Sequence, residues 1–125
     1  MKTRLLLIDD EVISLKMTKM MLDEHQFDVD TCLTTEEAIS VLTTSDIDLI
    51  LLDISMPTLD GFDFIKLMRS LHIHVPVVFL SSKDDAYTRD LAKSEGVRRC
   101  VSKGFELAKL PEIIREVLSE VKRST

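Results

Sequence analysis

Two unbroken apolar runs, each ended by a carboxylate, constrain this sequence most. Residues 49–52 (LILL) lead directly into Asp53, and residues 4–8 lead into Asp9 and Asp10. A short apolar run bounded by polar residues is typical of a strand buried on both faces of a parallel sheet. Open α/β sheets hold their ligands at the carboxyl ends of such strands. We therefore expect Asp53 to stand at the carboxyl end of a buried strand.

The rest of the chain alternates between strand-like and helix-like segments. Strands are expected at residues 4–9, 27–32, 47–53, 77–80 and 99–102, and helices at residues 12–24, 35–43, 62–70, 84–94 and from Pro111 to about 121. Right-handed crossovers wind such βαβ units into a parallel sheet that is covered by helices on both faces. The predicted fold class is therefore α/β, a doubly wound (βα)5 sheet of five parallel strands.

Local signals mark three helix ends and one buried face. Thr34 is followed three residues later by Glu37, the spacing of an N-terminal capping box. Gly96 should stop the fourth helix, and Pro111 fits best at the first position of the fifth. In the first helix, the apolar residues that recur at helical spacing are expected to pack in the core: Ile13, Met17, Met20 and Met21.

Length and composition exclude several classes of protein. A chain of 125 residues with 45% apolar residues suits a single domain, residues 1–125, either alone or as the amino-terminal part of a larger protein. With 22 acidic and 16 basic residues the net charge is -6, which argues against direct nucleic-acid binding by this domain. No apolar run approaches the roughly 20 residues of a membrane span. We expect a cytoplasmic location, with Cys32 and Cys100 as reduced thiols.

Further polar residues follow the other predicted strands. Ser81 follows the fourth strand and Lys103 follows the fifth. Parallel strands would bring these side chains to the same edge as Asp9, Asp10 and Asp53. Neighbouring carboxylates repel one another, and a divalent cation bound between them would relieve that repulsion. Oxygen ligands that leave room for water and phosphate favour Mg²⁺. A merely solvated acidic patch is the simpler alternative, but it does not explain why the acids follow buried strands.

The same set of residues suits phosphoryl transfer. An ionised carboxylate beside Mg²⁺ is a competent nucleophile towards phosphorus and would form an acyl phosphate. Transfer also needs cations and hydrogen-bond donors around the moving phosphoryl oxygens, which Lys103 and the Ser81 hydroxyl can supply.

On these residues the whole chain resembles the receiver domains of two-component response regulators, the CheY-like family. The matching residues are Asp9 and Asp10, Asp53 within LLDISMPTLDG, Ser81 and Lys103. The resemblance implies the flavodoxin-like strand order 2-1-3-4-5. It also implies a signalling switch that is phosphorylated and dephosphorylated on Asp53, and not a turnover enzyme.

The resemblance also implies ligands and partners. Asp53 would accept a phosphoryl group from a sensor histidine kinase or a histidine phosphotransfer protein. Asp9, Asp10, Asp53 and the backbone carbonyl of Ser55 would bind Mg²⁺, and Ser81 and Lys103 would contact the phosphoryl group. The output partner or effector domain is left open, as is a homodimer through the face formed by the fourth helix, fifth strand and fifth helix.

Two positions depart from the family pattern. Lys103 is followed by Gly104, where family members usually have a cis proline; because a cis bond before a residue other than proline costs about 3 to 4 kcal/mol, we expect a trans bond here. Cys100 occupies the position of the aromatic switch residue, so we expect signalling to rely on movements of loops and of the fourth helix.

Two alternatives follow from these residues. A phosphatase of the haloacid dehalogenase type would need a second acid two residues after the nucleophile, where this chain has Ser55, and a cap for which the length leaves no room. A receiver-like interaction module that works without phosphorylation stays open because of Gly104 and Cys100.

Overall fold

The computed structural model describes residues 2–55, 61–82, 86–104 and 106–123, apart from the side chains of Tyr87 and Leu91. The elements follow in the order β1 (Arg4–Ile8), α1 (Val12–Glu24), β2 (Asp28–Cys32), α2 (Thr35–Thr44), β3 (Leu49–Asp53), α3 (Gly61–Ser70), β4 (Val77–Ser81), α4 (Ala86–Ser94), β5 (Arg99–Ser102), a 3₁₀ turn (Leu107–Lys109) and α5 (Leu110–Arg123). The five strands form one parallel sheet in the order β2-β1-β3-β4-β5. The predicted fold class and strand order are confirmed.

The sheet has an apolar core on each face, because alternate residues of a strand point to opposite sides. Leu5 and Leu7 belong to the core beneath α1 and α5, whereas Leu6 and Ile8 belong to the core beneath α2, α3 and α4. Every residue of β3 is also buried. This double coverage explains why the central strands are continuous apolar runs without alternation.

Most predicted bounds of helices and strands hold within two residues, but the prediction of which face of α1 is buried was wrong. Ile13, Met17 and Met20 were expected in the core, yet their exposed fractions are 69%, 67% and 64%. The buried face of α1 instead carries Leu15, Thr18 and Leu22, and Met21 packs partly against the core. Both faces of this helix contain apolar residues at helical spacing, so periodicity alone selected the wrong one.

The helix-end signals agree with the structure where it describes them. The Glu37 backbone N–H donates to Thr34 Oγ1 at 3.2 Å, and Gly96 follows α4 with a φ of +82°. Pro111 is the second residue of α5, one position later than predicted, because Leu110 already begins the helix directly after the 3₁₀ turn. Residues 84–85 of the predicted fourth helix, like residues 56–60 of the loop motif, lie outside the described residues.

Gly61 lets α3 begin close to the sheet. A Cβ atom at this position would lie 2.9 Å from Ile54 Cγ2 and 3.3 Å from Phe79 Cζ. Only a residue without a side chain avoids this contact. The close approach places the start of α3 next to Ile54 and to Phe79 of β4.

Candidate functional site

The strand register brings the predicted site residues together at the carboxyl ends of the strands. Ile8 pairs with Leu52, so Asp9, the residue after β1, and Asp53, the last residue of β3, lie at the same level. On the other side of β3, Asp53 pairs with Leu80. In the next pair of strands, Ser81 lies opposite Ser102, the residue before Lys103. The expected convergence of carboxyl ends is therefore present.

Lys103 links the two buried carboxylates at this edge. Its Nζ donates to Asp53 Oδ2 at 2.5 Å and lies 3.4 Å from Asp9 Oδ2. The side chains of Asp53 and Asp9 are only 5% and 2% exposed, and that of Lys103 is 19% exposed. Buried charges are stable when they are paired and hydrogen-bonded, and this cluster meets both conditions.

The second oxygen of each carboxylate is fixed by the backbone. Asp9 Oδ1 accepts a hydrogen bond from the Glu11 N–H at 3.0 Å, and Asp53 Oδ1 accepts one from the Ser55 N–H at 2.8 Å. These bonds set the rotation of the two carboxylates. As a result, both Oδ2 atoms are directed at the same cation.

The charge state of Lys103 follows from competing effects. Burial disfavours its ammonium form, but the hydrogen bond to Asp53 and the negative charges of Asp53 and Asp9 outweigh burial and raise the pKa of Lys103 above its ordinary value. Lys103 is thus a fixed positive charge at neutral pH.

Sequence reasoning missed one member of this cluster, Ser14. The Lys103 ammonium donates to Ser14 Oγ at 3.0 Å. Ser14 lies on the first turn of α1 and is half-buried. Its distance from Lys103 along the chain is 89 residues, and a single serine on a helix carries no motif, so no signal in the sequence indicated this contact.

The other predicted residues surround this cluster. Asp10 is exposed, and Ser81 is buried at the end of β4. The Ser55 and Ser82 hydroxyls lie 3.0 Å apart, and the Ser82 N–H donates to Ser55 Oγ at 3.2 Å. This pair joins the segments that follow β3 and β4, beside the Asp53 carboxylate.

The donor set suits a hard divalent cation only in part. Among the described residues, no group of three acidic, histidine or cysteine side chains is arranged to hold a metal ion. The Oδ2 atoms of Asp9 and Asp53 do converge on one cationic centre, the ammonium of Lys103. All the oxygens that the sequence analysis named are hard ligands, the type that Mg²⁺ prefers.

The two departures from the family pattern have different outcomes. The Lys103–Gly104 peptide bond is trans, as predicted, since the described residues contain no cis bond. Cys100 lies half-buried on β5, and burial raises the pKa of its thiol although the nearby Arg89 charge acts in the opposite direction. The dependence of signalling on Cys100 stays a prediction.

Comparisons with known proteins agree with this geometry. The family model described as the response regulator receiver domain matches residues 5–115. The curated relatives include response regulator SaeR of Staphylococcus aureus (strain USA300), 31% identical over 121 residues, which are 97% of this chain and 53% of the relative. The chain therefore spans about half the length of the curated relatives that it matches.

Solved structures show the same fold. A response regulator receiver domain protein from Clostridium thermocellum is 26% identical with a TM-score of 0.85, covering 98% of this chain and 99% of that one. A CheY-like receiver domain protein from Methanospirillum hungatei JF-1 has a TM-score of 0.86 at 21% identity over the full length of both chains. Within the described residues, no helix is long and apolar enough to cross a membrane. This chain belongs to the response regulator receiver domain family.

Proposed function

We propose that this domain is a phosphorylation-controlled signalling switch that accepts a phosphoryl group on Asp53. The observation that supports this most strongly is the buried cluster in which Lys103 Nζ contacts both Asp53 and Asp9. A lysine held at the carboxylate that would be phosphorylated is well placed to balance the charge of a phosphoryl group. The donor would be a phosphohistidine of a sensor histidine kinase or a histidine phosphotransfer protein.

In the proposed reaction, a carboxylate oxygen of Asp53 attacks phosphorus. The new O–P bond forms as the P–N bond to the donor imidazole breaks, and the departing nitrogen keeps the electron pair. The charge of Lys103 and the hydroxyl of Ser81, at the end of the neighbouring strand, would bind the phosphoryl oxygens. Hydrolysis of the acyl phosphate would return Asp53 to its carboxylate, so the domain would be a switch and not a turnover enzyme.

The residues that would hold Mg²⁺ are Asp9, Asp10, Asp53 and the backbone carbonyl of Ser55. When bound, the ion would screen the negative charges of the carboxylates and the phosphoryl group. Each of Asp9 and Asp53 has one oxygen, Oδ1, bonded to a backbone N–H and one, Oδ2, that contacts Lys103.

The exposed apolar residues of α1 support docking of a protein donor beside the site. Ile13, Met17 and Met20 lie four and three residues apart, on the solvent face of the helix whose first turn carries Ser14. A donor protein that buried this stripe would be held next to Asp53. An exposed apolar stripe of this kind is typical of a surface that binds another protein.

Phosphorylation would then change which conformation the domain favours. It adds charge and three acceptor oxygens at a cluster that contacts β1, β3, β5 and α1. A partner that distinguishes the two conformations would read that change. The output partner or effector domain, and a homodimer through α4, β5 and α5, stay predictions.

Intact mass spectrometry tests the proposal directly. Wild type and Asp53→Asn would be incubated with Mg²⁺ and phosphoramidate, and we expect wild type alone to gain about 80 Da, the mass of one phosphoryl group. Omission of Mg²⁺ should abolish the gain. Equal labelling of Asp53→Asn would assign the acceptor elsewhere, and no labelling of either protein would favour an interaction module that works without phosphorylation.

A further inference from the structure

Within the part of the chain that the structure describes, Ser14 is the one neutral side chain that contacts the Lys103 ammonium. The ammonium has three protons, and three oxygens of the described residues accept from it: Asp53 Oδ2 at 2.5 Å, Ser14 Oγ at 3.0 Å and Asp9 Oδ2 at 3.4 Å. Ser14 is the nearer of the two weaker partners and the only neutral one. It also belongs to a helix, a rigid element, whereas Lys103 belongs to a loop.

The Lys103 N–H donates to the Ser81 carbonyl at 2.8 Å, so the backbone of Lys103 is anchored to β4, but this bond does not fix the end of the long side chain. Gly104 follows Lys103 and is exposed. Among the described residues beyond its two neighbours in the chain, the atom nearest to a Cβ at Gly104 would be Ser102 Oγ, at 3.9 Å. A lysine side chain loses about 2 kcal/mol of conformational entropy when it is fixed in one rotamer. Hydrogen bonds at the ammonium offset part of this loss and hold the end of the side chain in place.

The two carboxylates alone do not define where the ammonium lies. Both are acceptors of the same kind, and an ammonium is a point charge that binds without a fixed plane. The Ser14 hydroxyl lies on α1 and adds a third direction. With it, the ammonium has acceptors from β3, from the segment after β1 and from α1.

We infer that Ser14 is a positioning residue that acts through Lys103: its hydroxyl holds the ammonium against Asp53, where it meets the incoming phosphoryl group. The inference rests on the proposed function, because it assigns Lys103 a part in phosphoryl uptake. Ser14 itself has no hydrogen bond to Asp53 and takes no part in bond formation.

The test is the rate of Asp53 phosphorylation by phosphoramidate at saturating Mg²⁺, measured by intact mass. We expect Ser14→Ala to lower the rate about threefold to tenfold, the scale of one net hydrogen bond. Ser14→Thr keeps the hydroxyl and should remain within about twofold of wild type. Ser40→Ala is the matched control, because Ser40 is also a helical serine on the surface but has no part in the site.

A double-mutant cycle separates positioning from a general effect on the helix. In a Lys103→Met background, Ser14→Ala should leave the remaining rate unchanged, because the residue through which Ser14 acts is gone. An equal fall in both backgrounds, or no fall in the wild-type background, would overturn the inference while leaving the proposed function intact. Failure of wild type to take up phosphate would overturn both. Melting temperatures of all variants identify any loss of folding.

Discussion

Replacing Lys103 with methionine should destabilise the folded chain by about 3 kcal/mol at neutral pH. Methionine keeps most of the apolar stem, so the change removes the charge and its hydrogen bonds with little loss of packing. Asp53 and Asp9 would then lie close together, 5% and 2% exposed, without a shared cation. Burial of unpaired charge is the physical reason for the loss.

The magnitude follows from the two distances. At an effective dielectric constant of about 20, a pair at 2.5 Å gains about 7 kcal/mol and a pair at 3.4 Å about 5 kcal/mol of Coulomb energy. Most of this gain offsets the cost of taking three charges out of water, so the sum is not a net stability. Removing one partner of a buried pair costs about 3 to 5 kcal/mol in proteins. The 19% exposure of Lys103 allows some water to enter and favours the lower value.

Urea unfolding followed by circular dichroism measures this difference, and the chain has no tryptophan for a fluorescence assay. The melting temperature should fall by about 10 °C. Lys109→Met is the matched control, since Lys109 is exposed and should change stability by less than about 0.5 kcal/mol. Mg²⁺ should stabilise Lys103→Met more than wild type, because the ion replaces the lost cation.

A result within about 0.5 kcal/mol of wild type would refute this reasoning. It would mean that the desolvation of Lys103 cancels its attraction to the carboxylates, and that the cluster persists for function without a stabilising effect. A stability loss without any additional response to Mg²⁺ would separate the electrostatic argument from the proposed metal site.

Two other predictions concern α1 and β2. Met17→Glu should lower the rate of phosphorylation by a protein donor about tenfold and leave the rate with phosphoramidate unchanged, because the new charge blocks docking but leaves the site intact. Ser40→Glu is the control. An equal loss of rate with both donors would contradict the proposed docking surface. Burial, with smaller contributions from Glu37 and Asp30, raises the pKa of Cys32 from 9.0 to about 11. As the pH rises, the thiol of the unfolded chain loses its proton before the thiol of the folded chain does. The free energy of unfolding, measured by urea titration, should therefore fall more steeply between these pH values in wild type than in Cys32→Ala. Parallel plots of this free energy against pH for the two proteins would show that the thiol is not shielded.

The meeting of the site residues at the carboxyl ends of the strands was predictable, because it follows from a single rule. Parallel strands end on the same side, so Asp9, Asp53 and Lys103 had to meet once the sequence had indicated (βα)5. No detail of side-chain packing was needed for that step. The trans bond before Gly104 was equally local, since it depends on the identity of a single residue.

Two features were beyond sequence reasoning for physical reasons. The buried face of α1 includes Thr18, which is 3% exposed, so hydrophobicity alone ranked Met17 and Met20 above it. The contact between Ser14 and Lys103 joins residues that are far apart in the chain. Its existence depends on side-chain rotamers at one end of the sheet, and no periodicity or spacing records those.

The double coverage of the sheet gives its acidic residues a second role. Residues 5–8 and 49–52 are all leucine or isoleucine, so sliding β1 past β3 by one position would exchange similar side chains between the two cores. Strands with one wet face are held in alignment by their alternation, but these strands have no alternation to hold them. A slip would instead draw Asp9 or Asp53 from the edge into the apolar interior, which is costly. The same carboxylates that form the site therefore also specify the register of β1 and β3.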